Sequence, residues 1–159
     1  MVWKPDVTVA AVVERQGKFL LVEERVSGRL VFNQPAGHLE DGETLREAVI
    51  RETWEETARH FEPEALIGIY LWRNRARRRS FLRIAFCGSC RDHDPDQPLD
   101  EGILRSVWLT RADLAARSSR LRSPMVLRCV DDYLAGARYS EDLIKHLDMD
   151  AVAARAAIL

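Results

Sequence analysis

The stretch GHLEDGETLREAVIRETWEETA, residues 37–58, holds seven acidic side chains among twenty-two residues, together with apolar residues at helical spacing. Thr44 and Glu47 form a T-x-x-E capping box, which marks the beginning of a helix. The pattern therefore predicts an amphipathic helix over residues 44–58. This helix is unusual because its acidic side chains are concentrated towards its end.

Three of these acidic residues, Glu52, Glu55 and Glu56, have the spacing i, i+3 and i+4, so a helix makes them neighbours. Carboxylates this close repel one another unless a positive charge lies between them. A hard divalent cation with oxygen ligands meets that need. A solvated, acidic helix end is the ordinary alternative for such a cluster, and the surrounding residues decide between the two.

Those residues resemble the Nudix box, G-x5-E-x7-R-E-U-x-E-E-x-G-U, in which U is a bulky apolar residue. The motif positions filled at the proper spacing are Gly37, Glu43, Arg51, Glu52, Glu55 and Glu56. Three positions depart from the motif, because Thr53 and Arg59 replace apolar residues and Ala58 replaces the closing glycine. That glycine normally supplies a left-handed residue. Either Ala58 adopts this conformation, at a cost of about 1 kcal/mol, or the helix continues.

The resemblance implies an α/β fold, a Nudix α/β/α sandwich around a mixed β-sheet, and hydrolysis of a diphosphate linked to another group. It also implies a site for Mg²⁺ or Mn²⁺ whose ligands are Gly37, Glu52, Glu55 and Glu56. Glu52 would bind the metal or orient the attacking water. Glu43 and Arg51 would complete the catalytic set as a pair that holds the loop on the helix and keeps Arg51 away from the metal carboxylates.

Residues outside the motif extend the predicted site. Family members often recruit one more carboxylate from a later loop, for which Asp100 and Glu101 are candidates, and we assign Glu101 to the metal site. Arg29, Gln34 and Arg83 lie in strand-like segments and are the predicted substrate-binding residues.

The segment RNRARRRS, residues 73–80, joins two predicted strands and carries five arginines. Such a hairpin could close on a polyphosphate or contact RNA. A solvated connection is the alternative for any one of these arginines.

Three further stretches, WKPDVTVAAVV, NQPAGHLE and LRSPMVL, look like the corresponding stretches of a phosphatase subgroup of the family. This resemblance implies Mg²⁺-dependent hydrolysis of nucleoside tri- and diphosphates and thiamine-type diphosphates, with release of inorganic phosphate and little selectivity for the base. One alternative is an RNA 5′-end pyrophosphohydrolase, which the arginine run favours and the net charge of −1 opposes. Another is a non-catalytic Nudix-fold binding module, which the complete set of carboxylates opposes.

Composition sets the remaining expectations. The chain has 159 residues, of which 47% are apolar and 31% charged, as is typical of a globular protein. We expect a Nudix domain over residues 1–140 and a C-terminal helical extension over residues 141–159. No signal peptide or membrane span is recognisable, so the expected location is cytoplasmic. The expected partner is a small phosphorylated substrate, with no membrane partner and with nucleic acid disfavoured by the net charge of −1. The expected oligomeric state is a monomer or a homodimer.

The other elements follow from local patterns. Apolar runs and alternation predict strands over residues 7–13, 17–24, 28–37, 66–72, 81–87 and 106–110. Helical segments are predicted over residues 111–117 and 123–136, the second with Ser123 as N-cap and Gly136 at its end. The three cysteines form no disulfide framework or metal motif, so they are predicted to be ordinary thiols.

Overall fold

The structure, a computed structural model, describes residues 2–147. In this range the strands are β1 (Asp6–Arg15), β2 (Lys18–Val26), β3 (Arg29–Asn33), β4 (Ala36–His38), β5 (Arg59–Asn74), β6 (Arg79–His93) and β7 (Ile103–Thr110). The α-helices are α1 (Leu45–Thr57), α2 (Arg111–Ala116) and α3 (Met125–Leu134). Short 3-10 helices span Ser118–Arg120 and Glu141–Leu143.

The sheet is mixed, as predicted. Its main strand order is β3-β2-β1-β6-β5, with β4 also paired to β1 and β7 also paired to β2. β1 and β6 run parallel, whereas β1 pairs antiparallel with both β2 and β4. β4 carries Gly37 directly beside Val9 of β1, so the residues that precede α1 lie at the centre of the sheet.

Apolar side chains cover both faces of the sheet, which gives the α/β/α sandwich. On one face, Ala48 and Val49 of α1 pack in a cluster with Val9 of β1. On the other face, Leu114 of α2 and Val126 of α3 pack with other sheet residues. β1 is buried on both faces, which explains why its sequence is a continuous apolar run rather than an alternating one.

Helix α1 begins and ends where the local chemistry requires. Both hydrogen bonds of the Thr44–Glu47 capping box are present. Ala58 follows the helix with φ 52° and ψ 36°, and its N–H donates to the carbonyl of Trp54. The first of the two alternatives for Ala58, a left-handed alanine, is therefore the one observed. Thr53, at an apolar position of the motif, is fully buried, and its hydroxyl donates to the carbonyl of Val49 over 2.7 Å.

Several predicted element boundaries were wrong. Residues 28–37 contain two strands, β3 and β4, rather than one, and β7 begins at Ile103 rather than at residue 106. β5 begins at Arg59 and β6 ends at His93, so both strands are longer than the apolar runs that predicted them. The N-cap of α3 is Pro124 rather than Ser123, although the Ser123 hydroxyl accepts a hydrogen bond from the N–H of Met125 over 3.2 Å.

The predicted C-terminal extension is only partly within the described range. Glu141–Leu143 is a single 3-10 turn, and residues 148–159 of the predicted helix lie outside the described residues. Tyr139 pairs with Leu66 of β5 through two backbone hydrogen bonds of 2.8 Å, which ties the segment after α3 to the sheet. A helix long and apolar enough to span a membrane does not occur between residues 2 and 147.

Candidate active site

A cavity of about 390 Å³ opens beside the end of α1. The residues that line it come from α1, from the strands β1 to β6, from the loop that follows β6 and from the segment that leads into α3. Both acidic and basic residues line it, namely Glu24, Glu40, Glu52, Glu56, Arg83, Asp100 and Arg122. Trp72 and Phe81 add an aromatic wall. The cavity therefore combines carboxylates, guanidinium groups and aromatic rings in one place.

Three carboxylates meet at one side of this cavity. One oxygen from each of Glu52, Glu55 and Asp100 lies within 4.8 Å of the others. Asp100 is positioned by its own backbone, because its N–H donates to the carbonyl of Glu55 over 3.0 Å. Glu101, which we assigned to the metal site, is exposed and does not belong to this group. Of the two candidate acids in this loop, the structure thus brings Asp100 to the helix carboxylates.

Glu52 and Glu56 are buried, with exposures of 8% and 7%. Burial raises the pKa of Glu52 and raises the pKa of Glu56 well above its ordinary value. The backbone N–H of Ala36 donates to Glu56 over 2.9 Å, which partly offsets this effect. Glu56 lines the cavity but lies outside the group of three carboxylates. Both buried groups would be stabilised as carboxylates by a cation.

Gly37 lies in close contact with Glu52. A Cβ atom added at position 37 would overlap the carboxylate of Glu52. Position 37 therefore has to be glycine for the Glu52 carboxylate to occupy its observed place. The structure brings these two predicted site residues together.

Arg51 makes a bidentate pair with Glu43, with distances of 3.0 Å from Nε and 2.7 Å from Nη2. Its Nη2 also donates to the carbonyl of His38, so it joins the loop before α1 to the helix. The expectation that this pairing keeps Arg51 away from the metal carboxylates was wrong. Nη1 of Arg51 donates to both Glu52 and Glu55 over 2.9 Å. The Arg51 guanidinium holds the pKa of Glu43 below its ordinary value.

The three predicted substrate-binding residues have different positions. Arg83 is only 4% exposed and lines the cavity, and burial lowers its pKa. Gln34 lies behind it, since its Oε1 accepts from Arg83 over 3.0 Å and its Nε2 donates to the carbonyl of Val126 over 2.7 Å. Gln34 thus positions Arg83 rather than lining the cavity. Arg29 is exposed and lies in a neighbouring cavity.

Three buried side-chain atoms in the described range lack a hydrogen-bond partner, namely Thr8 Oγ1, Glu24 Oε1 and Arg83 Nε. All three residues line the same cavity. Buried polar groups are nearly always paired, so their concentration here indicates a polar ligand. Burial raises the pKa of Glu24, with Arg122 3.6 Å away as its nearest positive group.

Sequence reasoning missed Glu24 and Thr8. Glu24 lies at an irregularity in the pairing of β2 with β7, between Glu23 and Glu24, and such bulges redirect side chains near sites. Its only signal in the sequence is a pair of glutamates at the end of an apolar strand. Thr8, between two valines, carries no signal of this kind.

Comparisons with known proteins agree with this geometry. A family model described as the NUDIX domain matches residues 3–128. Phosphatase NudJ of Shigella boydii serotype 4 is 42% identical over 142 residues, which cover 89% of this chain and 92% of that protein. Phosphatase NudJ of Escherichia coli strain K12 matches with the same identity and coverage. Among solved structures, the NUDIX hydrolase from Nitrosomonas europaea matches with a TM-score of 0.89 and 45% identity, covering 92% of this chain and 99% of that one.

Proposed function

This chain belongs to the NUDIX family of hydrolases, and we propose that it removes inorganic phosphate from small phosphorylated metabolites in a reaction that depends on Mg²⁺ or Mn²⁺. The proposed substrates are nucleoside tri- and diphosphates and thiamine-type diphosphates. The observation that carries the proposal is the group of three carboxylates, Glu52, Glu55 and Asp100, beside a cavity that contains unpaired buried polar atoms.

The donor set fits a hard divalent cation. All side-chain donors in the group are carboxylate oxygens, which such cations prefer. The buried Glu56, whose pKa is raised by burial, lies in the same cavity and adds negative charge. We therefore assign the cation to Glu52, Glu55 and Asp100, with Glu56 and the Gly37 carbonyl as further candidate ligands. When bound, such a cation neutralises phosphate charge and makes a coordinated water more acidic.

The chain's own residues position the remaining parts of the reaction. Arg83 has an Nε–H with no acceptor, and a phosphate oxygen in the cavity would provide one. Arg51 and Glu43 hold the loop against α1 and thereby fix the backbone around Gly37. Glu52 is held between Arg51 and Gly37, where it can orient a water molecule towards the phosphate.

The proposal that inorganic phosphate is released, rather than pyrophosphate, is supported by the similarity to relatives named Phosphatase NudJ. The unpaired atoms Thr8 Oγ1 and Glu24 Oε1 argue against our expectation of little base selectivity, because a cavity with fixed polar atoms discriminates among the rings that fill it. We therefore propose measurable selectivity among substrates with different leaving groups.

The test is to incubate the purified protein with Mg²⁺ and each of ATP, GTP, ADP and thiamine diphosphate in ¹⁸O-labelled water. Phosphate and pyrophosphate are then separated and the label located. We expect labelled inorganic phosphate, which places the attack at the terminal phosphorus. Addition of EDTA should abolish product formation.

The control is Glu55→Gln, which removes one charge from the carboxylate group and keeps a side chain of the same size. It should lose about 10²-fold or more in turnover, as expected for loss of a group that stabilises charge in the transition state. Wild-type turnover in this variant would overturn the metal assignment. Pyrophosphate and nucleoside monophosphate as the main products would overturn the phosphatase assignment, and turnover only on 5′-triphosphate RNA would replace it with the RNA-end alternative.

A further inference from the structure

The candidate active site adjoins a second, smaller cavity of about 150 Å³. The two cavities share Trp72, Phe81 and Arg122 as lining residues. They are therefore adjacent, with these three side chains between them and the carboxylate group beside the larger cavity. A ligand bound at the carboxylates lies next to the smaller cavity.

The smaller cavity is basic. Four arginines line it, from β3, from the β5–β6 hairpin and from the segment before α3: Arg29, Arg77, Arg79 and Arg122. None of its lining residues within the described range is acidic. We call it the basic cavity.

Only part of this positive charge is balanced by the protein. Arg79 pairs with Asp6 over 2.9 Å, and Arg122 lies 3.6 Å from Glu24. Arg29 and Arg77 have no carboxylate within 4.0 Å among residues 2–147. Like charges held close together repel one another, so a cavity with two unbalanced guanidinium groups favours an anion.

The wall between the two cavities suits a planar group. The rings of Trp72 and Phe81 stack with a centroid distance of 5.6 Å and an interplanar angle of 19°. The Arg79 guanidinium lies over the Phe81 ring, 5.1 Å from its centroid. Both aromatic side chains are partly exposed, so a flat ring can stack or pack against them.

We propose that the basic cavity binds a second phosphate group of a nucleotide substrate, carried on the ribose, while the planar base packs against the aromatic wall and the diphosphate that is hydrolysed lies at the carboxylate group. Guanidinium groups bind phosphate oxygens in a bidentate manner and stay charged at any physiological pH. Arg29 and Arg77 supply the unbalanced positive charge. This inference rests on the proposed function, because it places the scissile diphosphate at the carboxylate group.

The test compares two nucleotides that differ by one phosphate, ADP and adenosine 3′-phosphate 5′-diphosphate. Steady-state kinetics with Mg²⁺ should give a KM about tenfold lower for the 3′-phosphorylated nucleotide, the gain expected from charged hydrogen bonds to one added phosphate. The double variant Arg29→Gln, Arg77→Gln should lose this difference, because the KM for the 3′-phosphorylated nucleotide rises to that for ADP. Raising the salt concentration should reduce the difference in the wild-type protein.

Arg75→Gln is the matched control. Arg75 belongs to the same hairpin and is exposed, but it does not line the basic cavity. This variant should keep the full preference for the 3′-phosphorylated nucleotide. Equal KM values in the wild-type protein, or a preference that survives in the Arg29/Arg77 variant, would overturn the inference.

A third substrate identifies the source of the second phosphate. A 5′-diphosphorylated dinucleotide carries a phosphodiester where the mononucleotide carries a monoester. Tighter binding of the dinucleotide identifies an RNA end, and tighter binding of the mononucleotide identifies a small metabolite. If no nucleotide is turned over, the proposed function is wrong, whereas the basic cavity is still testable. Calorimetry then compares the binding of ADP with that of adenosine 3′-phosphate 5′-diphosphate, with Ca²⁺ in place of Mg²⁺.

Discussion

Glu52 and Glu56 lie one helical turn apart and are both buried, an arrangement that folding alone does not favour. An ionised carboxylate in such a position needs a compensating charge. Arg51 supplies it to Glu52 in the structure, whereas Glu56 has a single backbone N–H from Ala36. The burial of these two carboxylates therefore costs free energy in the metal-free protein, and a bound cation would reduce this cost.

The two neighbouring acids after β6 should behave differently when their charge is removed. Asp100→Asn should lower turnover by about 10–100-fold and weaken metal binding, since Asp100 belongs to the carboxylate group. Glu101→Gln should change turnover little, because Glu101 is exposed and outside that group. Turnover against Mg²⁺ concentration measures both effects. The reverse ranking of the two variants would show that our original assignment of Glu101 was correct.

Two glycine-to-alanine changes should separate activity from stability. At Gly37 the new methyl group would displace the Glu52 carboxylate, so turnover should fall by roughly 10²-fold while the unfolding temperature changes little. At Gly88 the new methyl group would overlap the backbone carbonyl of Glu62, which cannot move without disturbing β5. Gly88→Ala should therefore lose stability. Thermal unfolding and turnover per folded molecule provide the comparison, and full activity in Gly37→Ala would contradict the packing argument.

The sequence predicts those site residues that lie close to one another along the chain better than those that lie far apart. The helix carboxylates follow from local spacing, because the geometry of one helix relates them. Asp100 lies far from Glu55 in sequence, and only the folded chain shows that its N–H meets the Glu55 carbonyl. For the same reason the sequence offered both Asp100 and Glu101, and we assigned Glu101 to the metal site, whereas the folded chain places Asp100 beside the helix carboxylates. Neighbouring residues in a loop can point in different directions, and no periodicity relates them.

At the scale of elements, the loop before α1 and the helix act as one unit through Arg51. Its guanidinium contacts Glu43, Glu52, Glu55 and the carbonyl of His38. The Thr44–Glu47 capping box and the bond from the Ala36 N–H to Glu56 are further links, but only Arg51 contacts both Glu52 and Glu55. We therefore expect the carboxylates to lose their positions without it. The Arg51 side chain is long enough to contact the loop and the helix at the same time.

Arg51→Ala should therefore damage turnover more than stability. We expect turnover to fall by about 10–100-fold, as for other residues that hold metal ligands in place. With Mg²⁺ present, where the cation compensates Glu52, the free energy of unfolding should fall by roughly 1 kcal/mol, because the remaining partly exposed ion pairs contribute little. Arg51→Lys should restore little activity, since lysine cannot make the bidentate contact with Glu43. Unchanged turnover in Arg51→Ala would show that the Glu43–Arg51 pair is not needed to position the site.

The lengths of β5 and β6 show why some element boundaries could not be predicted. Their pairing is shifted between Arg59 and His60, between Pro63 and Ala65, and between Leu66 and Gly68. Only the shift near Leu66 interrupts the alternation of buried and exposed side chains, because Leu66 and Ile67 are both buried. The residues before it do alternate, but they include Pro63 and several charged side chains, which are not typical of a strand. The apolar parts of both strands were predicted, and the more polar ends were not. By contrast, the caps of α1 were readable because the chemistry that ends a helix is local.

At the scale of the whole molecule, the sandwich gathers the candidate active site from segments that are distant along the chain. β1 provides Thr8, β2 provides Glu24, β6 provides Arg83, α1 provides the glutamates and the loop after β6 provides Asp100. These segments converge because β1 lies at the centre of the mixed sheet, next to β4 and β6. We expect the collected carboxylates to make the stability of the whole protein depend on pH and on metal ions.

In the metal-free protein, stability should fall as the pH rises above about 4.3, the ordinary pKa of glutamate. Glu24, Glu52 and Glu56 have pKa values raised by burial, so in this range the folded state binds more protons than the unfolded state. Their contribution is fully present below the unfolded pKa and is lost as the pH passes the folded pKa. Carboxylates with lowered pKa values, such as Glu43, act in the opposite direction and only at lower pH.

Thermal unfolding in EDTA from pH 5 to pH 8 measures this decline in stability. Glu56→Gln should make the decline shallower, because glutamine keeps an acceptor for the Ala36 N–H and has no charge to bury. Mg²⁺ or Mn²⁺ should reverse the decline, since the cation competes with protons for the same oxygens. At a metal concentration of 100 Kd the gain is about 2.7 kcal/mol, or roughly 5–10 °C for a domain of this size. The gain should grow with pH and shrink in Glu56→Gln. A metal-induced shift that is the same at pH 5 and pH 8 would show that the cation does not bind at these carboxylates.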